Sequence, residues 1–562
     1  MEVLGAAERS IVMSVTRRRA IIFGSLGLAT APQTIQGVAN HAGPFGAGSN
    51  VGAALPASGP GRTSAAMDAA VGTGEFFVNA RDYGVTGNGT TDDRAALLAA
   101  ANAAVALGYP LAIPAGFTMI LGGTLVLPAG LHLYTNGARF RALAQTGRNP
   151  QIRVGSHTTV TGGIYITTLG GVNGSGLCIQ GATNVRIDVV DVESTIPGQG
   201  NGNVRDNGLN INGSSDVTID RARIKNFDYS LYAETVPNLT IRWLEIDTYT
   251  CGAHFRDASH LRINGGWIRG ASPNSAYTPG HNGVLLESSK PAEDIRIENV
   301  AVHDAGEHGF RISGPAQIRN LWINSCSAIS CTGTGFKILG GLRADGIYNE
   351  NVFFLNCLAE DCGLVNRNTC GFLIQMAKYV KVVSPIIRNR NKVSAGHSGI
   401  RIGGVTHLQI TDPDIVRASQ YGIFIDSELG NVSDVKINGA NIDQTTGWAI
   451  YLSNGQPGGT ANNFHNIEID ATVNITDAKS GGFYAGKGAY AIEGTWTGFN
   501  RVVLRFQDTV AQAVAASASS NQFHADIIGK RNTTVLFKNG SRWLDTKTGN
   551  YLLAKAGAWV TQ

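Results

Sequence analysis

The chain has 562 residues, a net charge of +4, 15% charged residues and 72 glycines. So small a charge gives no case for a nucleic-acid partner, and the glycine excess with 43% hydrophobic residues argues for a turn-rich β protein over disorder. No apolar run reaches the ~20 residues needed to span a bilayer.

The N-terminus reads as an export signal over residues 1–31. Thr16-Arg17-Arg18-Arg19 precedes an apolar stretch from Ala20 to Leu28 and a small-residue Ala29-Thr30-Ala31 cleavage site. The paired arginines point to the twin-arginine route. Met13 offers an alternative start that shortens the charged region. The expected destination is the periplasm or the exterior, with no membrane association once the signal is removed. Residues 32–72, rich in Gly, Ala, Pro and Ser, read as a linker.

The folded part, residues 73–500, opens with Phe77 and runs through Asp82-Tyr83-Gly84 and Gly87-Asn88-Gly89 to Thr91-Asp92-Asp93. The glycines supply a tight turn, and Thr91 or Asp92 is placed to cap a helix over Arg94–Leu107. Its alanine-rich face suits covering the open end of a β-solenoid, whose first coil exposes unpaired backbone groups. A strand and a Pro114-Ala115-Gly116 turn follow.

From residue 208 to 426 one phrase returns: a small residue, an apolar, a variable and an apolar one. It reads Gly208-Leu-Asn-Ile, Ser230-Leu-Tyr-Ala, Gly252-Ala-His-Phe, Gly283-Val-Leu-Leu, Gly309-Phe-Arg-Ile, Gly335-Phe-Lys-Ile, Gly371-Phe-Leu-Ile, Gly399-Ile-Arg-Ile and Gly422-Ile-Phe-Ile. The spacings are 22, 22, 31, 26, 26, 36, 28 and 23 residues, the range of stacked repeats. Each phrase alternates with a period of two, and a second alternating run follows, as in Val217-Thr-Ile-Asp and Leu239-Thr-Ile-Arg. A third short strand often comes next, as in Gly266-Trp-Ile. Two or three short strands per period, no helical periodicity and variable turns predict an all-β, single-stranded right-handed parallel β-helix of about ten or more coils. A leucine-rich horseshoe lacks its Leu-x-x-Leu-x-Leu frame here. Residues 501–562 read either as the end of the solenoid or as a small appended module.

Cys326 and Cys331 repeat as Cys357 and Cys362 with the same internal spacing. A ladder of small buried residues is the expectation; disulfides and a metal site are the alternatives, the spacing not being that of a zinc site.

The opening stretch resembles the N-terminal signature of the pectate-lyase-like superfamily, in which Asp-Tyr/Phe-Gly, Gly-x-Gly and Thr-Asp-Asp lead into a capping helix and a Pro-Ala-Gly turn. With the coils, the resemblance covers roughly residues 75–500. It implies a right-handed parallel β-helix acting on polysaccharides, in a group of lyases, glycoside hydrolases, epimerase relatives and phage tailspike glycanases. Asp82, Asp92 and Asp93 belong to the signature as turn and cap residues.

Within each phrase the two apolar residues point inward, so the variable residue and the one after the phrase point out. The outward row runs Asn210/Asn212, Tyr232/Glu234, His254/Arg256, Leu285/Glu287, Arg311/Ser313, Lys337/Leu339, Leu373/Gln375, Arg401/Gly403 and Phe424/Asp426. Reactive types concentrate from Tyr232 to Arg311, beside an insertion, 271–282, that holds Tyr277 and His281. A second cluster, His303-Asp304-Ala-Gly-Glu307-His308, precedes the Gly309 phrase. The superfamily's galacturonan hydrolases carry Gly-His-Gly in a related place; here it is Glu-His-Gly, and their preceding Asp-Asp pair is missing at Asn282-Gly283.

A β-elimination lyase neutralises a uronate carboxylate, removes the C5 proton and protonates the leaving oxygen. Arg256, Arg311 and Lys337 suit the first task, His254 or Lys337 the second and Tyr232 the third. Asn210, Tyr277, His281, Glu307 and His308 are the further substrate-binding candidates. A glycosidase needs two carboxyl groups. Glu234 and Glu287 stand on alternate coils, too far apart for retention but compatible with inversion. The readings are, in order, lyase on an acidic polysaccharide, hydrolase or glycan transferase, and non-catalytic glycan binder or epimerase, although no Asp-Pro-His-Glu epimerase motif is visible. No cofactor is required; a calcium ion at Glu234 and Glu287 is left open, as is a homo-oligomer.

Overall fold

The computed structural model describes residues 76–562, except 143–148, 169–174, 196–205, 248, 271–277, 341–347, 364–368, 391–396, 427–429, 446–447, 454–463, 475–487, 493–495, 498–499, 507–522, 530–540, 546 and 556–557. The export signal, the linker and Tyr277 therefore lie outside the described residues.

The repeated phrase is a strand, and each phrase pairs in parallel with the next. This first ladder links Asn207–Asn212, Tyr229–Glu234, Cys251–Arg256, Val284–Glu287, Phe310–Ser313, Phe336–Leu339 and the start of Cys370–Val383. It continues through Ser398–Thr411, Ile423–Asp426, Trp448–Ser453 and Gly488–Ile492. The second alternating runs form a second parallel ladder, for example Ala292–Glu298 on Ile318–Asn324. The third short strands form a third, for example Gly266–Arg269 on Val300–His303. Three ladders advancing together are the coils of a parallel β-helix, as the periodicity requires.

The register explains the phrase. Its apolar positions stack coil on coil inside the helix: Phe310 lies on Phe336 with ring centroids 4.9 Å apart, and Phe336 on Phe372 at 4.7 Å. All three are buried. The leading small residue sits at an inner corner. A Cβ on Gly309 would come within 2.6 Å of the Ala328 side chain and 2.7 Å of the Gly335 carbonyl, so only the smallest residues fit. Asparagine and aspartate recur because the turns use left-handed backbone, which these residues tolerate better than most. Asp216, Asn238, Asn320 and Asn351 all have φ between 55° and 59°. They also bond along the axis, Asn238 to Asp216 at 2.8 Å and Asn351 to Asn320 at 3.0 Å.

The capping helix spans Arg94–Leu107 and buries Leu97, Ala100, Ala101 and Ala104. Its start differs in detail from the expectation. Asp93, not Thr91 or Asp92, is the N-cap residue, and its side chain makes no cap bond to the helix. It is buried and instead accepts from the Thr86 and Gly87 amides at 2.7 and 3.0 Å, tying down the glycine turn. Asp92 Oδ1 takes the Arg94 amide at 3.0 Å, so one carboxylate serves the helix and its neighbour serves the turn.

All seven cysteines are free and buried, and the repeated pairs stack on successive coils as small core residues. The parallel pairing continues past residue 501 through Phe523–Gly529 to Arg542–Asp545. Two antiparallel strands, Asn550–Lys555 and Ala558–Thr561, then follow. No helix among the described residues is long and apolar enough to cross a membrane.

His397 is fully buried, and neither of its ring nitrogens has a hydrogen-bond partner. Burial alone lowers its pKa from 6.5 to about 4. In the unfolded chain it regains a proton below pH 6.5, so stability is present above that pH and falls as pH drops towards 4, by about 1.4 kcal/mol per unit. A His397→Met variant is expected to flatten this acid limb in urea melts between pH 7 and pH 4.5; an unchanged slope would remove His397 as its cause.

Candidate active site on the first ladder

The outward residues of the first ladder stack as the alternation requires. Asn210, Tyr232, His254, Leu285, Arg311 and Lys337 are register partners in succession, and Asn212, Glu234, Arg256, Glu287 and Ser313 form the row beside them. They are not all open to solvent, as an outward row would suggest. His254 is 6% exposed, because the rings of Tyr229 and Tyr232 stand against it with centroids 6.1 and 5.2 Å away.

Two knots of side chains occupy this row. In the upstream knot the Tyr232 hydroxyl donates to Glu234 Oε2 at 2.9 Å, and Arg256 lies 3.5 Å from Glu234. Burial and then Glu234 push the Tyr232 phenol up to about 12; it stays protonated at neutral pH. One coil on, His254 Nε2 lies 3.0 Å from Glu287 Oε2, and this contact is the largest influence holding Glu287 below its usual carboxylate range. Its other nitrogen, Nδ1, is buried without a partner, as are Arg256 Nε and Asn210 Oδ1. Glu234 and Glu287 therefore flank Arg256 in register and each faces a basic side chain. A calcium ion bridging them would have to displace Arg256 and His254. Among the described residues no three His, Cys, Asp or Glu side chains gather as a metal site.

The downstream knot is built around Glu307 and His308, candidates from the cluster ahead of the Gly309 phrase, which the structure leaves only 3% and 4% exposed. The four-residue cluster divides: His303 ends a third-ladder strand and Asp304 turns with a φ of 55°, while Glu307 and His308 lie just ahead of the first-ladder strand Phe310–Ser313. Glu307 accepts from the Gly280 amide at 2.8 Å, from Asn282 Nδ2 at 3.0 Å and from Arg311 Nη1 at 3.0 Å. His308 Nδ1 accepts from the Thr334 amide at 2.9 Å. In the neutral ring the proton is therefore on Nε2, which faces Lys337 Nζ at 3.1 Å and Glu307 Oε1 at 3.4 Å. Burial, with Lys337 adding to it, lowers His308 to about 3, so the ring is uncharged. The Nε2–H has the Glu307 carboxylate within reach, and the Lys337 amine as well wherever that amine is free. Burial and the neighbouring Arg311 charge lower the Lys337 pKa.

Sequence reasoning named His281 and Glu307 but missed the row they belong to, two residues ahead of each phrase, and with it Asp206, Asp228 and Thr250. Asp206 Oδ1 accepts the Asp228 amide at 2.8 Å, and Asp228 Oδ1 accepts from Thr250 Oγ1 at 2.9 Å. Both carboxyls are buried. Burial is the main cause raising Asp206 to about 6, with the Asp228 charge adding to it. His281 is lowered by burial, against the opposing charges of Asp228 and Glu307. Extending the repeat frame by two residues aligns these positions in sequence but does not say which way their side chains point.

One pairing considered from sequence does not fit. Tyr232 and Lys337 are four strand steps apart, about 19 Å at the usual strand spacing, so they do not meet at one glycosidic bond. Tyr232 and His254 are adjacent, as are Arg311 and Lys337.

No protein-family model matches the chain, and no curated protein matches it. Among solved structures it is similar to tailspike protein 3 of bacteriophage CBA120, at 12% identity and a TM-score of 0.40 over 91% of this chain and 72% of that one. It is also similar to the Dettilon tailspike protein, at 12% identity and 0.43 over 85% and 76%. A third is an exopolygalacturonase from Thermotoga maritima, at 14% and 0.36 over 76% and 92%. In its stacked coils the chain has a parallel β-helix fold.

Proposed function

We propose that this protein is exported and cleaves an acidic extracellular polysaccharide by β-elimination on the outward face of the first ladder. The observation that carries the reading is the Lys337 amine, half-buried, faced by the His308 Nε2–H and adjacent in register to Arg311. An amine whose pKa is lowered by burial and by Arg311, beside a cation that holds the uronate carboxylate, suits the first step of elimination.

The steps balance without water. Lys337 Nζ takes the C5 proton, and Arg311 stabilises the charge that builds on the adjacent carboxylate. The C5–H electron pair becomes the C4=C5 double bond as the C4–O4 bond breaks, and the leaving O4 takes the proton back from Lys337. Glu307 and His308 position this pair: Glu307 fixes Arg311, and His308 holds the amine across a 3.1 Å contact. Arg256, with its side chain 40% exposed and anchored by Glu234, suits a second acidic sugar upstream. Export rests on the arginine-led N-terminal signal.

Hydrolysis is favoured by a different observation, the Asp206 and Asp228 carboxyl groups on adjacent coils, with burial raising Asp206 to about 6, since a glycosidase works with two carboxyl groups. Incubation with a panel of bacterial and plant acidic polysaccharides separates the readings. Elimination is expected to raise absorbance at 235 nm with new reducing ends. Reducing ends alone, lost in Asp206→Asn, would replace the lyase with a hydrolase. Neither signal, with polymer still retarding the protein in affinity electrophoresis, would leave a binder.

A further inference from the structure

Beyond Lys337 the same ladder changes character. Its next outward residues are Leu373, Arg401, Phe424 and Tyr451, in unbroken register. Leu373 is buried. Arg401 is an arginine without net charge to offer. Its Nε lies 2.7 Å from Asp426 Oδ2, the two side chains are only 15% and 2% exposed, and the guanidinium sits over the Phe424 ring at 5.1 Å. Phe424 and Tyr451 are joined by Tyr421 from the row beside them. Tyr421 stacks on Tyr451 at 4.6 Å and 17°, and lies 5.1 Å from Phe424, which is 5.4 Å from Tyr451. All three rings are half-buried.

We infer that these rings form a subsite for an uncharged sugar, so that the substrate is a heteropolymer carrying an acidic unit at Arg311–Lys337 and a neutral, apolar-faced unit a few sugars further along the same chain. The inference rests on the elimination reading for its acidic end and on the aromatic floor for its neutral end. The floor begins three strand steps from Lys337, about 14 Å along the axis, on the same continuous face, so one extended glycan reaches both.

The chemistry selects the class of sugar. The electron-rich faces of a ring cluster attract polarised C–H groups, which line the face of a pyranose ring, most of all in 6-deoxy or acetylated sugars. A uronate there would lose water from its carboxylate and gain no free cation, since Arg401 is already neutralised by Asp426. A face meant for a uniformly acidic polymer would repeat the Arg256 and Arg311 pattern, and this one abandons it.

The test uses the full chain carrying Lys337→Ala, which blocks turnover, in saturation-transfer NMR with two probes, methyl α-L-rhamnoside and methyl β-D-glucuronoside. The rhamnoside signal is expected to fall about three- to ten-fold in Phe424→Leu, the scale of one aromatic contact, and to persist in Arg311→Ala. The leucine keeps the site apolar; Tyr451→Leu repeats the test should Phe424→Leu lower the melting temperature. A rhamnoside signal absent from the parent, or unchanged in both ring variants, overturns the subsite. A glucuronoside signal insensitive to Arg311→Ala instead sinks the acidic site and leaves the neutral one standing.

Discussion

Replacing Lys337 with alanine is expected to lower kcat about 10²- to 10⁴-fold, the usual contribution of a positioned base, with the melting temperature nearly unchanged. Lys337→Arg is expected to be equally inactive, because a guanidinium keeps its proton and cannot accept another. This separates a base from a mere cation: a lysine that only binds carboxylate would be served well by arginine. The pH dependence gives a second check with a fixed sign. The reactive form is the free amine, so kcat/KM rises with pH, and its limb lies below the ordinary lysine value of 10.5 because burial and Arg311 lower the pKa. His308→Gln is expected to move that limb. Wild-type turnover by Lys337→Arg would end the role of Lys337 as base.

The largest effect on stability is expected from Phe336→Ala. Phe336 stacks between Phe310 and Phe372 and meets Phe354 edge-on at 5.8 Å, all of them buried. Removing such a ring costs about 3–5 kcal/mol, and the rings above and below cannot close the gap because the strands carrying them are fixed by the ladder. The neighbouring residue in the strand is Lys337, so the loss should reach activity too. Urea unfolding read by far-UV circular dichroism is the check, with hydrogen exchange of coils 310–374 showing whether the damage is local, as nearest-neighbour stacking predicts. A change under 1 kcal/mol would mean that the stack contributes little.

The fold was legible because a β-helix writes its geometry into a repeat. Gly309-Phe-Arg-Ile and Gly335-Phe-Lys-Ile give corner, core, surface and core in order, and stacking then dictates the register without long-range guesswork. The outward row followed from the same arithmetic. Three things did not. Burial of His254 depends on Tyr229, which comes from a position that the four-residue phrase leaves out. The Asp206 to Glu307 row lies two residues ahead of the phrase, where the chain turns a corner and simple alternation no longer says which way a side chain points. The contact between His308 and Lys337 joins residues 29 apart in sequence and depends on a tautomer that only the Thr334 amide fixes. Helix capping failed in a smaller way for a related reason: Asp92 and Asp93 are equivalent as letters, and only the fold assigns one to the helix and the other to the turn.

Elimination and hydrolysis differ in one atom, and that atom can be followed. The most direct measurement is cleavage of the responsive polysaccharide in water enriched in oxygen-18, with the fragments weighed by mass spectrometry. Elimination at Lys337 gives fragment pairs whose masses sum to that of the parent chain, with no heavy oxygen and one new C4=C5 double bond per cut. Uptake of one oxygen-18 at each cut, with no unsaturated sugar, would contradict it.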